Sequence, residues 1–86
     1  MKGKIFMQKI RQDIHLGKNI KNLRKLNNLT QEQVVIKLQL QGIEISRSIY
    51  SQIELGTYNI KVSELIALKN IFKVDFNTLF EGLGDL

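Results

Sequence analysis

Arg47, Ser48, Ser51 and Gln52 are the residues of this chain whose types and spacing suit chemistry on a partner molecule. That chemistry is hydrogen bonding, with no bond made or broken. Arginine presents a planar fork that fits O6 and N7 of guanine, and glutamine can pair with N6 and N7 of adenine, each bidentate contact giving about 1–3 kcal/mol of discrimination. Ser48 and Ser51 suit a base edge, a phosphate or plain exposure. On a helix these four share one side, while Ile49 and Ile53, four apart, mark the buried side. No catalytic set competes with them. His15 is the single histidine, and no helical spacing pairs it with a nucleophile or carboxylate, so it reads as a surface residue or a minor phosphate contact. With no cysteine there is neither a disulfide framework nor a cysteine zinc site, and no metal or cofactor is expected.

Something must hold that face rigidly outward, and the sequence predicts five helices and no strand. A helical period begins at Ile14 or Leu16, runs through Ile20 and Leu23 to Leu26, and ends at Asn27-Asn28, which tolerate a left-handed stop. Thr30 and Gln33 have the spacing of a capping box, with Leu29 and Val34 as its hydrophobic staple. The second helix then turns Val34, Val35 and Leu38 inward and stops near Gly42. Ser46 caps the third, stapled by Ile45 and Tyr50, and Gly56-Thr57-Tyr58-Asn59 is a turn signal after it. A fourth helix spans about Val62 to Phe72 with Leu65, Leu68 and Phe72 inward, and Asp75 caps a short fifth carrying Phe76, Leu79 and Phe80. Helices two and three, each opening on a polar cap, have the plan of a helix-turn-helix, in which the first braces and the second enters the DNA major groove.

Eighty-six residues make one domain with a single core. Three parts are expected: a basic arm or helical extension over 1–12, a helical domain over 13–82 and a tail over 83–86. The net charge of +5 is one-sided. Eight basic residues up to Lys25 (Lys2, Lys4, Lys9, Arg11, Lys18, Lys21, Arg24, Lys25) stand against Asp13 alone, a local balance of +7, while 26–55 and 56–86 each sum to −1. Such a field favours a polyanion, nucleic acid before an acidic membrane, although a solvated lysine-rich arm has the same composition. No apolar run approaches the roughly 18 residues that span a bilayer. Lysines also interrupt any signal-peptide core near the N-terminus, so a cytoplasmic, nucleoid-associated protein without a membrane partner is expected.

Three segments in order, Leu-Thr-Gln-Glu-Gln at 29–33, Ser-Arg-Ser-Ile-Tyr-Ser-Gln-Ile-Glu-Leu-Gly at 46–56 and Leu-Ile-Ala-Leu-Lys-Asn-Ile-Phe-Lys-Val-Asp-Phe-Asn-Thr-Leu-Phe at 65–80, give the chain its family likeness. It resembles the Cro/repressor-type, or Xre-like, helix-turn-helix proteins over roughly Leu16 to Glu81. The resemblance implies a compact five-helix, all-α, lambda-repressor-like fold. It assigns a phosphate contact to Gln31, base reading to Arg47 and Ser48 with Gln52 one turn on, and a structural ion pair to Arg24 and Glu54. The residues themselves add Ser51 to the base-reading face and place Thr30, Ser46, Tyr58 and Asn59 beside Gln31 as phosphate contacts; Tyr58 fits equally a ring that is partly packed. The chain departs from the family in three places. Gln39 to Glu44 replaces what is typically a single glycine between helices two and three, Val35 stands where a small alanine is usual, and Lys73 stands where glycine often ends the fourth helix.

Two functions follow, from different classes. One is a sequence-specific transcriptional regulator, a repressor, that binds double-stranded DNA as a homodimer through helix three, with Leu79, Phe80, Leu83 and Leu86 as dimer contacts. The other is an antitoxin or adaptor whose main partner is a protein. A third reading places the basic arm on an anionic membrane surface. An enzyme is not expected.

Overall fold

The computed structural model describes residues 15–82, which form five helices and no strand. Helix α1 occupies 15–26. It is followed by α2 (Gln31–Leu40), α3 (Arg47–Leu55), α4 (Val62–Phe72) and α5 (Phe76–Leu79). The expectations for the arm over 1–12 and for the tail with Leu83 and Leu86 lie outside the described residues.

Local hydrogen bonding explains where each helix starts. Thr30 Oγ1 accepts from the Gln33 amide at 3.1 Å while Gln33 Oε1 accepts from the Thr30 amide at 2.9 Å, closing the capping box of α2. Ser46 Oγ accepts from the Ile49 amide at 3.1 Å, and Asp75 Oδ1 from the Thr78 amide at 2.8 Å. Each cap satisfies a first-turn donor that has no partner inside its own helix. The stops are equally local. At the end of α2 the Ile43 amide donates to Leu38 O and the Gly42 amide to Gln39 O, a Schellman closure around Gly42 at φ 83°.

Asn28 (φ 55°) and Lys73 (φ 57°) take the left-handed conformation that ends α1 and α4. Asparagine tolerates it; lysine carries a Cβ penalty there. Lys73→Gly is therefore expected to raise stability by about 1 kcal/mol, less the extra chain entropy of glycine. The check is a urea melt whose midpoint rises with unchanged slope.

One core joins all five helices. It takes Leu16, Ile20 and Leu23 from α1, Val34 and Leu38 from α2, Tyr50 and Ile53 from α3, Ala67, Leu68 and Phe72 from α4, and Leu79 from α5. Asn19 ties the ends together, donating through Nδ2 to Leu79 O at 3.0 Å and Glu81 O at 2.9 Å. Val35 and Leu65, expected inward, are half-buried and pack against the core. Three expectations need correction. Leu26 is 77% exposed, because the last residue of α1 has run past the body. Ile49, expected to mark the buried side with Ile53, is only half-buried, and Tyr50 holds the fully buried place beside Ile53. The link before α3 begins after Leu40 rather than at Gln39, because α2 keeps its last turn. Gln41 fastens that link to α4, donating through Nε2 to Ala67 O at 3.2 Å.

Candidate nucleic-acid interface

Capping at Ser46 points the first turn of α3 outward, and burial of Tyr50 and Ile53 fixes its rotation. With that side inward, Arg47 and Ser48 are exposed while Ser51 and Gln52 are half-buried beside them. These four line one open hollow whose remaining wall is Gln31 of α2. A second open hollow adjoins it over the start of α2, lined by Arg24, Leu29, Thr30, Gln31, Glu32 and Arg47. Gln31 and Arg47 stand between the two.

The second hollow combines open backbone donors with side chains of both charges. The capping box engages the amides of Thr30 and Gln33, which leaves those of Gln31 and Glu32 as first-turn donors without a partner among the described residues. Arg24 and Arg47 line the hollow with Glu32, and because Arg24 is paired with Glu54, Arg47 is its cation without an ion pair among the described residues. The hydroxyls of Thr30 and Ser46 accept from their helices and keep their own protons to donate outward.

A buried carboxylate binds three helices beneath this surface. Arg24 Nε of α1 donates to Glu54 Oε2 at 2.6 Å and its Nη2 to Oε1 at 3.2 Å, and the side chains are only 12% and 3% exposed. Arg24 Nη1 also donates to Leu29 O at 2.9 Å, just before the cap of α2. Gln31 Nε2 completes the cluster by donating to Glu54 Oε1 at 3.0 Å. Burial pushes the Glu54 carboxyl up, but the hydrogen bonds from Arg24 and Gln31 outweigh it and hold the group below its ordinary range. The same hydrogen bond to Glu54 raises Arg24.

The helix-turn-helix domain family matches this chain over residues 17–84. The chain belongs to that family. No curated protein and no solved structure matches it. Its five helices are the lambda-repressor-like arrangement, and helix-turn-helix domains are DNA-binding modules. Helices α2 and α3 pack against each other, and among the described residues no helix is long and apolar enough to cross a membrane.

Not every residue singled out from the sequence reaches the shared face freely. The Tyr58 hydroxyl donates to Glu64 Oε2 at 3.0 Å, so its only proton is already engaged. Burial first, then the Glu64 carboxylate, raise that phenol above its ordinary value. Asn59 is exposed. Sequence reasoning missed the contact of Gln31 with Glu54, and also Glu64, which is buried and accepts from the Lys61 amide at 2.8 Å. A signal for Glu64 was present, since it stands three residues after the residue that opens α4, where a carboxylate can reach back to the cap amide.

Proposed function

We propose that this protein is a sequence-specific DNA-binding regulator of the Cro/Xre-like type, a repressor that reads the major groove with α3 and binds as a dimer. The observation that carries the reading is the convergence of Arg47, Ser48, Ser51 and Gln52 on one open face beside the α2 N-terminus, with none of the four enclosed by the protein's own atoms. Arg47 and Gln52 supply the bidentate base contacts, and Ser48 and Ser51 the lesser ones. Thr30, Gln31, Ser46 and Asn59 take phosphates, joined by Tyr58 when its hydroxyl leaves Glu64. A single module of this size covers too little DNA for strong selectivity, which is the argument for two copies on half-sites about one helical turn apart.

Selection of binding sites from random duplex DNA at fixed salt tests this directly. A palindrome with that spacing is expected. On it, Arg47→Ala should lose about 1–3 kcal/mol and relax preference at the contacted base, whereas Gln31→Ala should weaken all sequences alike. Enrichment of no sequence at all would sink the proposal. The competing antitoxin or adaptor reading draws on exposed apolar side chains such as Leu40, Leu55 and Val62. A stoichiometric protein partner retained after nuclease treatment would favour it.

A further inference from the structure

Besides their shared core, α1 and α3 meet through an ion pair and through a close approach of backbone. Arg24 grips Glu54. Seven residues earlier on α1, hence two turns back along nearly the same face, stands Gly17. A Cβ built on Gly17 would lie 2.5 Å from Glu54 O, 2.6 Å from Ile53 O and 2.9 Å from Glu54 C. All three atoms are backbone in the last turn of α3, so no rotamer change relieves the contact. A methyl group there forces the helices apart by roughly 1 Å, the gap between these distances and ordinary van der Waals contact.

We propose that Gly17 is a positioning residue for DNA recognition, setting how α3 stands out from the body. The inference rests on the DNA-binding reading above. Gly17 and Arg24 both act at the C-terminal end of α3, on Ile53 and Glu54, while Tyr50 is fully buried at its middle, so displacement at Gly17 tilts α3 about that packed middle. The far end of the helix, about 10 Å from that contact, carries Arg47 and Ser48. Bidentate contacts survive errors of only about 0.5 Å and 10–20°. The consequence is a loss of base discrimination with little change in the phosphate contacts at the start of α2.

The test compares the full chain with Gly17→Ala, both carrying Lys73→Gly for added stability, and uses Asp75→Ala in the same background as a control destabilised at α5. Each is titrated by fluorescence anisotropy against a duplex selected by the wild type and against its scrambled version at one salt concentration. Urea melts supply the folded fraction. Gly17→Ala is expected to lower the ratio of selected to scrambled affinity by about fivefold or more, the discrimination of one bidentate contact. Asp75→Ala should leave the ratio unchanged. If Gly17→Ala does not fold alone, both proteins are titrated in trimethylamine N-oxide, which favours the compact state. An unchanged ratio for the folded variant overturns the positioning role while leaving DNA binding standing. A wild type that distinguishes no duplex overturns both.

Discussion

Arg24→Ala should destabilise the domain by about 3 kcal/mol, and Glu54→Ala by a similar amount, because either leaves a charged partner in a site from which water is largely excluded. For a small domain with about 5–10 kcal/mol in total, that is a large share. The asymmetry between removing one partner and removing both is the sharper test. Arg24→Met with Glu54→Leu takes away both charges and puts apolar volume between α1 and α3, and should recover most of the loss. Gln31 would then lose its acceptor, but it is half-buried and can turn to water. Arg24→Lys should not rescue, since one ammonium cannot reproduce two bonds to Glu54 and a third to Leu29 O. A double-mutant cycle in urea midpoints reads the coupling, and additive losses would remove the pair from the account of stability.

The same carboxylate gives the fold an acid-side limit. Glu54 is held below its ordinary value of 4.5, so the folded state favours its ionised form. Its contribution is fully present above that value and is lost as pH falls through the lower folded value. Stability should therefore decline below about pH 4.5 in the wild type, and less so in the Met/Leu double variant. Equal acid sensitivity in both would count against the linkage.

What the sequence made legible is what neighbours along the chain decide. The caps at Thr30, Ser46 and Asp75 and the left-handed stops at Asn28 and Lys73 each depend on residues within a few positions. They could be read from hydroxyl, carboxylate and turn residues preceding or following an apolar period. The missed features join residues far apart. Gln31 meets Glu54 across 23 positions, and Gly17 touches the Ile53–Glu54 backbone from another helix. No periodicity encodes that approach; a lone glycine in a helical pattern is its faint trace. Leu26 failed in the other direction, since a period continues to its last residue whether or not anything covers it there. Of the +7 up to Lys25, +3 falls before residue 15, outside the described residues, and +4 lies on α1 at Lys18, Lys21, Arg24 and Lys25, so the basic N-terminal field and the open face of α3 are two separate arguments for a polyanion.

Tyr50 separates packing from hydrogen bonding at the centre of α3. Its ring is completely buried, and its hydroxyl makes no hydrogen bond although Glu54 and Arg24 lie near it. Burial, and then the Glu54 carboxylate, push that phenol far above its ordinary range. Tyr50→Ala should lose about 3–5 kcal/mol, the usual result of deleting an aromatic ring from a core that cannot collapse around the gap. Tyr50→Phe keeps the ring and removes only the unsatisfied oxygen, so its stability should equal or slightly exceed that of the wild type. A loss of 1–2 kcal/mol in Tyr50→Phe would instead mean that the hydroxyl supports the Arg24–Glu54 cluster in solution. DNA binding sharpens the comparison, because Ser51 and Gln52 follow directly on Tyr50 in α3 and take their outward direction from its burial. Tyr50→Phe should retain the full base preference, whereas Tyr50→Ala, in whatever fraction remains folded, should not.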